Sequence, residues 1–413
     1  MLQQALEAVE RKDYAKAKAI LEPICKVSEK RCRAWTLLSL VFLQMNEPMK
    51  AFEASRVGAK RGTFVLAEYV MTRSMYALGM NENKCLEQLE RTMSIDTDCL
   101  YTVKLASCLP KESDGAILLE KKALELNTTS EKCIKMFYRA GQMFSKLSRK
   151  EDALRNFREV TTRCENITSL TELRDIATYK VAALSGSTDK KEIARAPESY
   201  IKKLYNSFAS TFDETLVKKL AYKTPSEIRS LLSKTLEGKK TLGRCCDLGC
   251  GTGLSGVALR KFANYLVGVD LSESMVELAR KREIYEELYV SEIVNFLKDC
   301  STCFDLIVSC DVFVYLGDLE NVFKAAASAL SSNGMFLFST EQQIGCDTAT
   351  TNKCEKPYVL DTTKRFKHCT EYILGLSEKH GFSVIECIRG RVIRKQGGSD
   401  VKGDIFLLEF TDD

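Results

Sequence analysis

Three glycines at alternate positions, directly after an apolar run, constrain this sequence more than any other feature. The run begins at Leu242 and continues into CDLGCGTG, which ends at Gly253. A stretch compatible with a helix follows at once, over residues 256–262. A strand, a glycine turn and a helix in this order let a ligand approach the backbone and direct free helix N–H groups towards it. The segment therefore predicts a nucleotide-like binding turn in an α/β sheet.

A second apolar run, over residues 265–269, ends in Asp270. Because parallel strands end at the same edge of a sheet, we expect this carboxylate beside the turn, within reach of a ribose diol. The glycine spacing is G-x-G-x-G, whereas dinucleotide-binding folds favour G-x-G-x-x-G. Asp247, before the glycines, would repel a phosphate but would suit a positively charged ammonium group. A dinucleotide-dependent oxidoreductase is an alternative function of such a turn, but the glycine spacing disfavours it.

At these residues the sequence resembles the class I S-adenosylmethionine-dependent methyltransferases. Their motif D-x-G-x-G-x-G is matched by Asp247 and the three glycines, and their acid at the end of the second strand is matched by Asp270. The resemblance implies a Rossmann-like, seven-stranded domain that binds S-adenosylmethionine as its cofactor. The residues that we assign to this cofactor are Tyr205, Asp247, Gly249, Cys250, Gly251, Thr252, Gly253, Asp270, Leu271, Met275, Glu292, Ile293 and Cys310.

The resemblance also implies individual roles for some of these residues. Tyr205 belongs to an amphipathic segment, residues 198–220, that covers the methionine end of the cofactor in the family, where an aromatic face attracts the sulfonium by about 1–2 kcal/mol when dry. Met275 would lie against the adenine, although a core methionine that faces the sheet is an open alternative. Glu292 would accept the adenine amino group, while the backbone N–H of Ile293 would serve the ring.

Candidate catalytic residues follow the clearest buried strand, residues 304–310, which is a continuous apolar run. Asp311 and Tyr315 come directly after it, at the edge where ligand crevices lie in open α/β sheets. We assign both to catalysis, and Tyr315 also to the substrate. A polar stretch over residues 341–363 is long enough to predict a functional lid.

His368 is the candidate general base, since imidazole titrates in the useful range and the residue follows the predicted lid, in a helix expected over residues 364–376. Here the sequence also resembles a group of predicted methyltransferases that carry tetratricopeptide repeats. Their R-[FY]-x-H-x-x-x-Y segment is matched by Arg365, Phe366, His368 and Tyr372. We therefore assign Arg365 and His368 to the substrate as well.

The N-terminal half contains a repeat of small residues. Ala17, Ala51, Cys85, Ala116 and Ala153 stand 31 to 37 positions apart, each in a helical stretch. An aromatic residue, such as Phe42 or Phe144, stands nine positions before three of these five small residues. This pattern resembles the tetratricopeptide repeat. It predicts four to five stacked helix pairs and a capping helix over residues 168–184, with a plain helical bundle as the alternative.

The predicted fold class is therefore α + α/β, with an all-α, tetratricopeptide-like solenoid before the methyltransferase domain. The turn-forming residues 185–189 place the boundary between residues 186 and 187. The second domain would have leading helices over residues 196–236 and a core over residues 240–413. The concave face of the solenoid would take a protein or peptide partner, an expectation that rests on the fold alone.

The composition is that of an ordinary soluble protein, 45% hydrophobic and 28% charged, with a mild formal net charge of +5. No basic cluster is interleaved with aromatics, so nucleic acid is an unlikely partner. The first residues lack the apolar core of a signal peptide, and no run of about 18 apolar residues predicts a membrane span. We therefore expect a cytoplasmic protein.

Seventeen cysteines are scattered through predicted helices and strands. Without an export signal, they predict reduced, buried thiols. Cys300-x-x-Cys303 is one C-x-x-C pair without a clear second pair, and the chain has only two histidines, so no metal site is predicted.

The segment after residue 310 lacks the proline-rich N-P-P-[YF] turn that, in related enzymes, grips the planar nitrogen of a nucleobase or amide. Its replacement by CDVFVY favours a small molecule, or a carboxylate or hydroxyl group, as the methyl acceptor. The helical repeats leave open an acceptor bound to a protein or carrier. The main alternative function is a non-catalytic scaffold whose methyltransferase fold only binds the cofactor or has degenerated.

Overall fold

The chain divides into two compact units, Met1–Ala177 and Thr178–Asp413. The computed structural model describes residues 1–27, 32–60, 64–96, 112–126, 128–186, 193–209, 212–214, 222–237, 241–301, 303–343, 356–396 and 398–411. The domain boundary expected between residues 186 and 187 stays a prediction.

The described secondary structure of the first unit is helical. Its helices are α1 (Leu2–Glu10), α2 (Tyr14–Val27), α3 (Cys32–Gln44), α4 (Pro48–Ala59), α5 (Val65–Ala77), α6 (Glu82–Ile95), α7 (Glu112–Leu126), α8 (Glu131–Lys146), α9 (Lys150–Arg163) and α10 (Thr171–Ser185), of which the last continues into the second unit. The prediction of a helical first half is confirmed, whereas its assignment to the tetratricopeptide class stays a prediction.

The five small residues of the repeat pattern are all fully buried, on α2, α4, α6, α7 and α9. Close helix contacts require such residues. At Gly141 on α8, for example, an added Cβ would lie 2.9 Å from Cε1 of Phe157 on α9. Small residues on one helix thus leave room for large side chains of the next, which is the packing that the sequence pattern predicts.

The second unit is built on a seven-stranded sheet. Its strands are β1 (Leu242–Leu248), β2 (Ala263–Asp270), β3 (Glu287–Val290), β4 (Phe304–Ser309), β5 (Leu330–Glu341), β8 (Phe382–Gln396) and β9 (Ser399–Phe410), and a separate two-stranded sheet contains β6 (Tyr358–Leu360) and β7 (Phe366–His368). The order is β3-β2-β1-β4-β5-β9-β8. The first five strands run parallel, and β9 is antiparallel to both neighbours. The predicted seven-stranded domain with a closing antiparallel pair is confirmed.

Apolar side chains cover both faces of this sheet. On β1, Cys246 belongs to one buried cluster and Cys245 to another, because successive side chains of a strand point to opposite faces. The helices of this unit are α11 (Glu198–Phe208), α12 (Thr224–Thr235), α13 (Leu254–Leu259), α14 (Glu273–Arg280), α15 (Ile293–Asp299), α16 (Glu320–Ala329) and α17 (Thr370–Lys379), with a short helical segment at Phe212–Glu214. Strands covered on both faces explain the continuous apolar runs in the sequence.

The helix expected over residues 364–376 is wrong in its first part. Phe366 and His368 are buried while Lys367 between them is not, a period of two that places them in β7, and the helix begins only at Thr370. Part of the predicted lid forms β6, the partner of β7, and residues 344–355 of it lie outside the described residues.

In the described part of the chain, no helix combines the length and the apolar character that a membrane span requires. The same residues contain no group of three or more His, Cys, Asp or Glu side chains placed to hold a metal ion.

Candidate functional site

The glycine turn between β1 and α13 uses a backbone conformation that other residues avoid. Gly249, Gly251 and Gly253 have φ values of 70°, 54° and 91°, in the left-handed region. The backbone N–H groups of Gly249 and Cys250 donate to the carbonyl oxygen of Val269 on β2, at 2.7 and 3.0 Å. A Cβ at Gly249 would also lie 2.2 Å from Cγ2 of Val312. The alternate glycines therefore let the chain turn tightly against the ends of β2 and β4.

Asp270, at the end of β2, lies beside this turn. Its Oδ2 accepts the N–H of Gly251 at 2.9 Å, and its Oδ1 accepts the N–H of Ser272 at 2.8 Å. Burial raises the pKa of Asp270 to about 6, against the opposing effect of these backbone donors. The carboxylate thus fixes the turn and remains part of the cavity wall, and its role with a ligand stays a prediction.

A cavity of about 320 Å³ opens at this edge of the sheet, in the size range of small-molecule sites. It brings together most of the residues that the sequence singled out. Those that line it are Tyr205, Gly249, Cys250, Gly251, Thr252, Asp270, Leu271, Glu292, Ile293, Cys310, Asp311, Tyr315 and Arg365. Asp247, Gly253, Met275 and His368 do not belong to the lining.

Asp247 is fully buried behind the cavity wall. Its Oδ2 accepts hydrogen bonds from the hydroxyls of Ser255 and Tyr285, both at 2.7 Å. Burial is the main cause that raises its pKa, to about 6. This placement does not support the predicted direct contact with a ligand ammonium, because Ser255 rather than Asp247 forms the wall at this point.

Two further residues that the sequence assigns to the cofactor, Met275 and Gly253, also lie outside the cavity lining. Met275 is completely buried in α14, so the alternative of a core methionine applies. Gly253 directly precedes α13, where an added Cβ would lie 2.9 Å from Cδ of Arg282. The role of both residues with a ligand stays a prediction.

Glu292 lines the cavity but already has several hydrogen-bond partners. Its Oε2 accepts the N–H groups of Val294 and Asn295, at 2.9 and 3.0 Å, and so caps α15. Its Oε1 lies 3.2 Å from Nη2 of Arg195. Only part of its acceptor capacity is thus left for an adenine amino group, while Leu271 and Ile293 add apolar surface nearby.

Aromatic side chains form another wall of the cavity. The hydroxyl of Tyr205 donates to that of Tyr315 at 3.1 Å, and their rings meet edge to face with centroids 5.8 Å apart. The ring of Phe212 lies 5.8 Å from that of Tyr205, and its Cε1 is 3.8 Å from the place of a Cβ on Gly251. The aromatic pair therefore reaches over the glycine turn.

A polar latch, formed by Asp213, Thr252 and Arg282, fastens this aromatic wall to the turn. Asp213 accepts hydrogen bonds from Oγ1 of Thr252, at 2.5 Å, and from Nη2 of Arg282. Nε of Arg282 also donates to the backbone oxygen of Thr252, at 2.5 Å. Arg282 lies in a polar stretch, ARKREIY, that offers no signal for this role.

His368 is placed away from the chemistry that the sequence suggested. It is 1% exposed on β7, and its Nε2 lies 2.9 and 3.1 Å from the backbone oxygens of Leu316 and Gly317. Burial lowers its pKa to about 4. His368 thus lies outside the cavity lining, and its contacts with two backbone carbonyls favour a structural role over the general base and substrate contact that the sequence predicts.

The far end of the cavity contains a cluster of charges. Asp311 has a φ of 56°, its N–H donates to Oγ of Ser339 at 2.9 Å, and burial raises its pKa. Arg365 and Arg394 both line the cavity and share Oε1 of Glu341, which lies at the end of β5. No sequence motif predicts a role for Arg394, because RVIRKQ in β8 has the composition of an exposed edge strand.

Comparisons with known proteins match the second half of the chain to methyltransferases. Residues 239–379 match a family model described as a methyltransferase domain. The chain is 31% identical over 109 residues to the ubiquinone biosynthesis O-methyltransferase of Coxiella burnetii (strain Dugway 5J108-111). The matched region covers 26% of this chain and 45% of that protein. It is 28% identical over 148 residues to the malonyl-(acyl-carrier protein) O-methyltransferase of Bacillus cereus, covering 35% and 53%. The chain thus spans about half the length of the curated relatives it matches.

Among solved structures, a S-adenosylmethionine-dependent methyltransferase from Clostridium acetobutylicum has a TM-score of 0.38 at 20% identity and covers 51% of this chain and 100% of its own. The magnesium protoporphyrin IX methyltransferase of Synechocystis, with bound S-adenosylmethionine, has a TM-score of 0.39 at 13% identity and covers 54% and 100%. The family match, described as a methyltransferase domain, spans residues 239–379, the range that contains the glycine turn and Asp270.

Proposed function

We propose that this protein transfers a methyl group from S-adenosylmethionine to an oxygen atom of a small molecule, free or bound to a carrier. One observation carries the proposal: Asp270 is fixed by the N–H of Gly251 at the wall of a cavity large enough for a small molecule. When bound, S-adenosylmethionine supplies a methyl group on a positively charged sulfur.

The residues of the cavity fit this cofactor chemically. The carboxylate of Asp270 suits the two hydroxyls of a ribose, and the apolar side chains of Leu271 and Ile293 suit a purine. The faces of Tyr205 and Phe212 suit a sulfonium, since an aromatic ring attracts a cation. Asp247 contributes through Ser255, which it orients.

The chain's own groups then align the acceptor and exclude water, which are the main requirements of a direct group transfer. Where the acceptor is a hydroxyl, we assign the removal of its proton to Asp311, which lines the cavity beside Tyr315. Burial raises the pKa of Asp311, so its carboxylate is a stronger base than an exposed aspartate. Its partner Ser339 holds the carboxylate in place through a 3.1 Å hydrogen bond.

The relatives support oxygen as the acceptor atom. The two curated relatives described above are O-methyltransferases, one of ubiquinone biosynthesis and one of a malonyl group on acyl-carrier protein. The absence of an N-P-P-[YF] segment after β4 points in the same direction. A cytoplasmic location belongs to the same proposal and rests on the cysteine-rich composition.

The first test is the binding of S-adenosylmethionine, measured by isothermal titration. Asp270→Ala removes a charged acceptor of two hydroxyl donors and should weaken binding by about 10–100-fold, or roughly 1.5–3 kcal/mol. Asp400→Ala is the matched control, because this aspartate is 52% exposed and is paired only loosely, at 3.9 Å, with Lys395. Absence of binding by the unchanged protein at ~100 μM cofactor, well above the usual micromolar range, would reject the enzyme function.

We further propose that the helical unit is a tetratricopeptide array that recruits a protein partner or the substrate. Five buried small residues at repeat spacing support this. Incubation with methyl-labelled cofactor and a cell extract tests which acceptor is presented. Label in a protein fraction would favour a protein or carrier-bound acceptor, whereas label only in small molecules would favour a free one.

A further inference from the structure

Arg394 is an unusual residue in the wall of the cavity. Its side chain is only 2% exposed, yet it belongs to the cavity lining. Nη2 donates to Oε1 of Glu341, whereas Nη1 is buried and has no hydrogen-bond partner among the described residues. Buried charged donors nearly always have partners, because leaving one unsatisfied is costly. The free donor therefore marks a place for a ligand oxygen.

The surrounding charges indicate what kind of oxygen fits there. Oδ2 of Asp311 is 3.6 Å from Nη1 of Arg394, too far for a hydrogen bond. A second cation, Arg365, lines the same end of the cavity and lies 3.4 Å from Oε1 of Glu341. Glu341 does not belong to the lining, so at this end two guanidinium groups and one carboxylate, that of Asp311, line the cavity.

Asp311 lines the cavity beside Arg394, and its Oδ1 accepts the hydroxyl of Ser339 at 3.1 Å, so part of its acceptor capacity is already used. A ligand with two negative charges would still meet repulsion from Asp311 and from Glu341 behind the wall. A planar group with one charge fits better, since guanidinium and carboxylate match in shape and charge. The neighbouring lining residues Val312, Leu316 and Cys310 are apolar, which favours an acceptor with a hydrocarbon body.

We propose that Arg394 and Arg365 form a carboxylate subsite that anchors the methyl acceptor, an apolar molecule with one carboxylate. This inference rests on the proposed function, because it concerns the acceptor end of the same cavity. It adds a substrate class to that function and a binding role to a residue that no sequence motif contains.

Pairs of acids and amides of equal shape test the subsite directly. The probes are hexanoate with hexanamide and phenylacetate with phenylacetamide, titrated into the full chain saturated with S-adenosylhomocysteine, with binding followed by the shift in melting temperature. We expect at least one acid to bind about 10–100-fold more tightly than its amide, since a charge-assisted hydrogen bond to a buried guanidinium distinguishes them. Equal responses to acid and amide in both pairs would overturn the proposal, as would equally tight binding of inorganic phosphate.

Substitutions then assign the effect to the arginines. Arg394→Gln should remove the preference for the acid, and Arg394→Lys should keep part of it. Arg365→Gln offers an independent test if Arg394→Gln does not fold, because Arg365 is 24% exposed. Arg391→Gln is the matched control on the same strand, since this arginine is 53% exposed and pairs with Glu227 at 2.9 Å. Unchanged acid preference in Arg365→Gln and in folded Arg394→Gln would sink the subsite.

Titration with S-adenosylmethionine separates this outcome from failure of the proposed function. The arginine variants should keep the cofactor affinity of the unchanged protein within about threefold, because neither arginine belongs to the residues assigned to the cofactor. Absence of cofactor binding by the unchanged protein would reject the methyltransferase proposal. The acid–amide comparison, repeated without S-adenosylhomocysteine, would then still show whether the two arginines bind a carboxylate.

Discussion

The two ends of the cavity are constructed in different ways. At the cofactor end, backbone groups of two short segments define the centre of the site: the turn around Gly249 and Gly251 and the start of α14 meet at Asp270. At the acceptor end, side chains meet from separate segments: Asp311 after β4, Arg365 before β7 and Arg394 in β8. The first end depends on local chain geometry, and the second depends on how distant segments pack.

Because of this difference, we expect substitutions to be tolerated at the acceptor end but not at the glycine turn. A local backbone turn tolerates few side chains, because both the left-handed φ and the close contact with Val312 exclude a Cβ at Gly249. The acceptor end has no such backbone constraint apart from the positive φ of Asp311. Substitutions there should change which molecule binds without changing the cofactor site.

Gly249→Ala should have the largest effect. The left-handed conformation costs an L-residue about 1–2 kcal/mol and overpacking against Val312 adds roughly 1–3 kcal/mol, so cofactor affinity should fall ~100-fold or more. Isothermal titration measures this. Gly375→Ala in α17 is the control: no atom lies within 4 Å of its added Cβ, and it should stabilise the fold by roughly 0.5–1 kcal/mol. A Gly249→Ala protein with normal cofactor affinity would contradict the importance of the turn.

The pH dependence of cofactor binding should come next in size. The folded pKa of Asp270 is raised to about 6, so its carboxylate takes up a proton as the pH falls through 6 and loses acceptor capacity. Cofactor affinity should therefore be constant above about pH 7 and fall roughly tenfold per unit below pH 6. In Asp270→Asn the cofactor affinity should depend less on pH. The pH dependence that remains should reflect the protonation of Asp247, whose pKa is also raised to about 6. Affinity that rises on acidification would refute the assignment.

Arg282→Gln should have a smaller effect through the latch. The pair with Asp213 is partly exposed, at 27% and 46%, so solvent screening limits its contribution to about 0.5–1 kcal/mol. We expect the cofactor KM to rise about two- to fivefold while kcat stays nearly constant, since only the placement of the aromatic wall changes. Arg280→Gln, whose arginine is 58% exposed beside Glu277, is the control. A fall in kcat with unchanged KM would speak against a positioning role.

His368→Gln should change catalysis least. Because the folded pKa of His368 is lowered to about 4, the imidazole is neutral over the working range and cannot cause an inflection near pH 6.5 in kcat/KM. The free energy of unfolding should fall by about 1–3 kcal/mol, since the carbonyls of Leu316 and Gly317 lose a well-placed donor. Chemical denaturation and kinetics measure the two effects, and a ~100-fold loss of kcat in a folded variant would restore His368 as a base.

Much of the fold and of the cofactor end could be predicted from the sequence. The apolar runs that end at Leu248 and Asp270 are adjacent parallel strands, and the closing antiparallel pair is present. The errors arose where one residue's neighbours are distant in sequence. His368 was assigned to a helix start, but pairing with Tyr358 in β6 makes this segment a strand and buries the imidazole. Met275 and Asp247 are fully buried and do not belong to the cavity lining.

The sequence by itself determined the position of the turn, the carboxylate beside it and the division into a helical and an α/β region, because glycine spacing and hydrophobic periodicity act over a few residues. The tertiary structure alone decided which charges meet at the acceptor end. Arg394 reaches Glu341 only because β9 lies between β5 and β8 and sets their relative register. Register between distant strands depends on the packing of the whole sheet, and no short segment of the chain encodes it.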